Sequence, residues 1–299
     1  MKKKLIFALG GLLLIFTACN QNTGQKTAME NSSNPLLKPS TLPFQVPDFT
    51  QIKDSDFAPA FEEGIKEQLT EVEKIANNPE DPTFDNTLVA LEKSGQTLAR
   101  VNNVFGMLTG ANTDSVLQKL QEDVAPKLAS LRDSIFLNEK LFERVQKIYQ
   151  KKDELSLDPE SAKLLQFYHD EFIRAGANLS EADKSKLKEL NQEIATLRAQ
   201  FKNQLLAAGK AGGITFDDKA ALKGLSEGAL KAAAQKADAN GEKGKWRINL
   251  QNTTQQPVLQ SLENRKTREE IFKASWTRAE KGDKNDTRNI IKKIAIIPI

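Results

Sequence analysis

Apolar residues recur at steps of three and four through most of the chain beyond residue 50, and this spacing constrains the fold more than any other feature. Phe57, Phe61, Ile65, Leu69, Val72 and Ile75 share one helical face, with Pro59 expected in the first turn, where proline is tolerated. Asn77-Asn78-Pro79 is expected to end that helix. Thr83 is read as the N-cap of one long helix carrying Leu88, Leu91, Leu98, Val101, Phe105 and Leu108. Asn112 or Thr113 opens another through Val116, Leu117, Leu120, Val124, Leu128, Leu131 and Ile135, with a kink or break expected at Pro126. Residues Asn138 to Gln150 and Asp158 to about Gly176 read as two more helices.

Ser180-Glu181-Ala182-Asp183 resembles a capping box with Asp at its last position. Behind it Leu187, Leu190, Ile194, Leu197, Phe201 and Leu205 form the most regular seam in the chain, suited to an antiparallel helical hairpin. Gly209, Gly212 and Gly213 are expected to stop it. They lack the Gly-Lys-Ser/Thr of a phosphate loop. Ile214-Thr215-Phe216 and Trp246-Arg247-Ile248-Asn249-Leu250 alternate as strands do. Between them Ser226 caps a small Ala-rich helix, and Pro257 opens a last long helix with Leu259, Leu262, Ile271, Phe272 and Trp276. The expected class is therefore mainly α with a small β-hairpin.

Composition narrows the function. Of the 299 residues 39% are apolar, enough for a core, and 28% are charged, yet the net charge is only +3 and the basic N-terminus supplies most of it. No basic field suggests nucleic acid. A single cysteine, Cys19, excludes an intrachain disulfide and any Cys-rich metal site. A single histidine, His169, is equally limiting, because zinc enzymes generally draw two or three imidazoles from one chain.

The N-terminus reads as an address. Lys2, Lys3 and Lys4 precede an apolar run from Leu5 to Phe16 that is too short to span a bilayer comfortably. Phe16-Thr17-Ala18-Cys19 then resembles a bacterial lipobox, although Phe16 stands where Leu is usual. Cys19 would be lipidated and hold the protein on an envelope membrane, periplasmic or surface facing. Residues 20–40, rich in Asn, Thr, Ser, Gln and Lys, are expected to form a flexible tether. Leu42, Phe44 and Phe49, among the spaced prolines Pro39, Pro43 and Pro47, are expected to pack on the domain that follows.

Several stretches resemble one family in order. Asn34-Pro35-Leu36-Leu37, Leu42-Pro43-Phe44 and Pro47-Asp48-Phe49 lead into Ile52 to Phe61; Asn77-Asn78-Pro79, Pro82 to Thr87 and Ala90-Leu91-Glu92 follow. Gly244-Lys245-Trp246, Gln256-Pro257-Val258-Leu259, Asn264-Arg265, Arg268-Glu269, Ala274-Ser275-Trp276, Arg278 and Asn285-Asp286-Thr287-Arg288 complete the series. Together they resemble the N-terminal part of M3 zinc peptidases, in the peptidyl-dipeptidase (dipeptidyl carboxypeptidase) branch related to thimet oligopeptidase. The resemblance implies an elongated helical domain over residues 41–212, then a linker hairpin and the start of the catalytic domain over 213–299. It implies short peptides as the substrate class, release of C-terminal dipeptides, and zinc held by His-Glu-x-x-His, with the Glu as general base.

None of that motif is present, so the resemblance transfers no catalytic or metal residue. The chain alone is expected to be inactive, and Ile296-Ile297-Pro298-Ile299, where the family helix would carry charges, is read as a truncation. Residues Trp246 to Trp276 are accordingly expected to be loosely ordered. Two alternatives stand beside this: a helical lipoprotein that binds peptides or a protein without cleaving them, and a peptidase completed by a second chain. His169, with Asp170 and Glu171, is read as a solvated or packed helix residue, and the pairs Glu62-Glu63 and Glu269-Glu270 as solvated helix faces, because neighbours in sequence diverge on a helix.

Overall fold

The computed structural model describes residues 34–297. The expected signal peptide and Cys19 lie outside them. Ten α-helices and one two-stranded sheet make up the described residues, so the mainly α class holds. The helices are α1 Asp54–Ala76, α2 Gln96–Ala111, α3 Ser115–Phe136, α4 Glu139–Gln150 and α5 Pro159–Ala175. They continue with α6 Glu181–Ala211, α7 Glu227–Ala239, α8 Asn252–Ser261, α9 Arg265–Trp276 and α10 Arg288–Ile296. No described helix is long and apolar enough to cross a membrane.

Order begins earlier than the expected tether allows. Pro35–Leu37 is a 3-10 turn whose Leu36 is 1% exposed. Asn34 caps it and its side-chain amide donates to the Asp56 carbonyl, while Arg100 donates to the Leu36 carbonyl. One buried leucine and two tertiary hydrogen bonds are enough to anchor a segment whose composition is polar. The next expectation also fails. Phe44 is fully exposed, and Leu42 and Phe49 remain more than two-fifths exposed, so these residues do not pack on the domain.

Helix ends follow local hydrogen bonding. Asp114, Asn138, Asp158, Ser180, Ser226 and Asn264 each accept backbone N–H groups of the turn that follows. Pro59 sits one turn deeper than expected because α1 starts at Asp54. Thr83 caps as read, but the helix it opens is short. A π-helical segment, Phe84–Val89, and one α turn, Ala90–Glu92, give way to a break at Gly95 before α2. Gly95 has φ 72°, its N–H donates to Glu71 of α1, and the Gln68 side chain occupies the place of a β-carbon. A left-handed residue pinned by a neighbouring helix interrupts the apolar pattern. Conversely, α3 runs through Pro126 unbroken and α8 contains Pro257, so neither proline ends or starts a helix. The helix expected from Pro257 is instead split at Leu262-Glu263-Asn264 into α8 and α9.

Three apolar clusters result. The first joins α1, α2, α4 and α5 around Phe57, Phe61, Phe105, Leu141, Leu165 and Phe172. Phe105 meets Phe57 and Phe61 at ring centroid distances of 5.2 Å, the latter edge to face. Burying side chains of this size is worth about 1.5–3 kcal/mol each. The second cluster holds Phe216, Leu222, Leu230, Ile248, Val258, Leu262 and Ile271 under an antiparallel pair, β1 Gly213–Phe216 and β2 Trp246–Asn249. Its register places Ile214 opposite Ile248 and Phe216 opposite Trp246. The strands are joined through α7, the small Ala-rich helix expected after Ser226. Ile271 is fully buried and Leu250 is 1% exposed, and residues 246–276, expected to be loosely ordered, share a core with Phe216, Leu222 and Leu230. The third cluster lies on the seam of α6, where Leu190, Ile194, Leu197 and Phe201 meet Ile290, Ile294 and Ile297. The most extensive contact of α6 is with α3.

Candidate functional site

A groove of about 430 Å³ opens where α6, α8, α9 and α10 converge. Phe201 and Leu205 come from α6, Asn252, Gln255 and Gln256 from the first turns of α8, and Ser275 and Trp276 from the end of α9. Arg278, Thr287, Arg288 and Ile291 close it. Local sequence explains the shape. After α9 ends, Thr287 donates through its N–H to the Ala279 carbonyl at 2.9 Å, which ties the start of α10 back under the end of α9. Within that loop Asp286 accepts from the N–H of Gly282 and from Arg288. The hydrogen bonds from the Arg288 side chain, with those from backbone N–H groups, hold the Asp286 carboxyl well below the usual carboxylate range.

The groove combines apolar walls with backbone-like polar groups. Gln255, Ser275 and Thr287 are buried, whereas Trp276 is 73% exposed and packs on Phe272 with centroids 5.7 Å apart. Arg278 donates to the Ser275 carbonyl at 2.6 Å, and its guanidinium lies beside Gly209 of α6. Amides, an arginine and aromatic faces can hold an extended peptide. Among the described residues its lining holds one carboxylate, Glu280, and no histidine, cysteine or lysine.

A second groove, about 500 Å³, lies between α1, α3 and α6 over Ile65, Leu69, Pro126 and Leu131. Glu62 and Lys127 bridge its rim at 3.1 Å.

The acidic candidates separate as their spacing implies. Glu62 reaches Lys127 and Glu63 reaches Lys66; Glu269 is bound by Lys273 at 2.5 Å. His169 lies flat on Tyr149, centroids 3.7 Å apart and 7° from parallel, with its Nδ1 buried and unpartnered. Asp170 accepts from Gln166, which holds its carboxyl below the ordinary range, and Glu171 is bound by Arg132 and Arg174. Among the described residues no three His, Cys, Asp or Glu side chains stand together as a metal site. A zinc ion of the family type therefore does not fit these residues: the one imidazole is stacked under an aromatic ring and has no second imidazole to converge with. The glycines after α6 serve packing. Arg247 lies where a β-carbon of Gly213 would stand, 2.6 Å from it, and Leu250 crowds Gly212 at 3.0 Å.

Two polar positions escaped the sequence reading. Arg144 is buried and donates to the carbonyls of Asn78 and Glu80 and to the side chains of Asn86 and Thr87. Asp133, buried between α3 and α6, accepts from Asn191 at 2.7 Å while its other oxygen has no partner. The signal for Arg144 was present: it falls in the series Leu141, Val145, Ile148 at the apolar spacing of α4.

No family model matches the chain. Individual proteins do. The chain is 49% identical over 266 residues to dipeptidyl carboxypeptidase of Salmonella typhimurium, a match that covers 89% of this chain and 39% of that protein. It is 48% identical over 264 residues to dipeptidyl carboxypeptidase of Escherichia coli, covering 88% and 39%. It is 28% identical over 247 residues to oligopeptidase A of Haemophilus influenzae, covering 83% and 35%. The chain thus spans about two-fifths of the length of the curated relatives it matches most strongly.

Proposed function

We propose that this chain belongs with the M3 peptidases of the dipeptidyl carboxypeptidase branch and supplies the helical, peptide-confining part of such an enzyme. One observation carries the reading. Identity of 49% extends over 89% of the chain but only 39% of the relative, and the 299 residues hold one histidine. Zinc in such enzymes supplies an activated water. The residues present do not fit it, so no hydrolytic step is assigned to this chain. The groove between α6, α8, α9 and α10 supports a role toward short peptides, because its apolar walls and amide groups match a peptide's side chains and backbone.

The test is direct. The purified chain is equilibrated with zinc, freed of unbound metal, and given a short peptide. We expect no stoichiometric zinc and no release of C-terminal dipeptide. Retained zinc with steady release would overturn the proposal.

The envelope location is also proposed. Support comes from the three lysines, the apolar run and Ala18-Cys19, which together suit lipidation at Cys19. Labelled palmitate should enter the chain produced in a bacterial host and be lost in Cys19→Ala. Undiminished label in that variant would refute the anchor.

A further inference from the structure

Residues 42–49 form a hook that the described chain covers only in part, and at Phe44 not at all. Phe44 is fully exposed, and Leu42, Val46 and Phe49 are 42%, 49% and 44% exposed. The backbone is held in an unfavourable form at the same place: Phe44 and Gln45 are consecutive non-glycine residues with φ of 57° and 56°. Bulky side chains rarely adopt that region, and where they do the surroundings impose it. Within the described chain three local backbone hydrogen bonds, Gln45 N–H to Leu42, Val46 N–H to Pro43 and Phe49 N–H to Pro47, with prolines at 43 and 47, hold the hook. Four apolar side chains displayed on a stiff, strained turn mark a contact surface.

We propose that this hook docks on the part of an M3 peptidase that lies outside the stretch matched here. The inference rests on the functional reading above. Two observations identify the occupant. The matched relatives at 49% and 48% identity are much longer, and the larger part of each lies outside the match, so proteins of this kind carry further chain available to cover the hook. The hook itself is nearly uncharged. Between Lys38 and Lys53 the only charged residue is Asp48, which suits an apolar protein pocket. A loop that enters a membrane interface is normally rimmed by lysine and arginine.

The experiment joins this chain to the part of the Salmonella typhimurium enzyme that lies outside the matched stretch. It compares Phe44→Gly and Val46→Ser there and in the chain alone. In the chain alone Phe44→Gly should leave the thermal midpoint unchanged or raise it, because glycine accepts φ near 57° without strain. In the joined protein each variant should lower the midpoint and reduce dipeptide release at least fivefold. Release that is undiminished in both variants overturns the docking site and leaves the family reading standing. A joined protein that neither unfolds cooperatively nor releases dipeptides overturns both. Co-sedimentation of the chain with phosphatidylethanolamine–phosphatidylglycerol vesicles that depends on Phe44 would also overturn the proposal, in favour of a lipid surface.

Discussion

Arg144 stands where the spacing along α4 calls for an apolar residue, and the structure shows why a cation is tolerated. Its fork meets carbonyls of Asn78 and Glu80 and side chains of Asn86 and Thr87, so the loop before the π-helical segment is stitched to α4. Burial still lowers its pKa, against the attraction of Glu80 and Asp81. Asp133 is the opposite case, a buried carboxylate with one oxygen unpaired. Burial raises its pKa, while the Asn191 hydrogen bond and the charges of Lys188 and Arg132 pull the other way. A carboxylate whose folded-state pKa is raised weakens the fold when ionised, and the penalty fades as pH falls through that raised value. Asp133→Asn should therefore stabilise the protein by about 1 kcal/mol at neutral pH and gain little near pH 4. Urea unfolding at both pH values checks this; a gain independent of pH would show that ionisation is not its source. Neither residue's partners were legible in sequence, because both lie more than fifty positions away.

At the scale of elements, periodicity located the helices as far as Trp276 but neither α10 nor every break. The apolar series from Leu88 to Leu108 skips a turn between Leu91 and Leu98, and the chain turns there at Gly95, whose N–H is held by Glu71 of α1. Prolines misled in the other direction. Pro126 and Pro257 stay inside helices, and packing evidently offsets the lost hydrogen bond. Gly64 shows how closely α1 and α2 cross: an added β-carbon would lie 3.0 Å from the Leu98 Cα and N. Two effects compete in Gly64→Ala. Helix propensity gains about 1 kcal/mol, but the obstruction is backbone and cannot rotate away, and overpacking of this kind costs about 1–3 kcal/mol. The net expectation is a loss of about 1–2 kcal/mol in urea unfolding. A stabilised variant would mean that the two helices part freely.

On the scale of the whole molecule, the described chain is better closed than its sequence suggests. The seam of α6 reads as one side of a hairpin, and α3 does pack along that helix, but Ile290, Ile294 and Ile297 from the far end of the chain cover part of the seam itself. The second cluster likewise gives residues 246–276 a core. What remains open is specific: the hook around Phe44, and Trp276 with Phe272 beside the groove. The groove could not be read from sequence, because it is assembled from residues 201–291 across four helices. The limit on its chemistry could be, since it follows from one histidine. That limit is the central claim, and dipeptide release from a short peptide labelled at its C-terminal residue tests it most directly. With zinc supplied, this chain alone should release no labelled dipeptide above the buffer background; sustained release proportional to chain concentration, abolished by a chelator, would contradict the account.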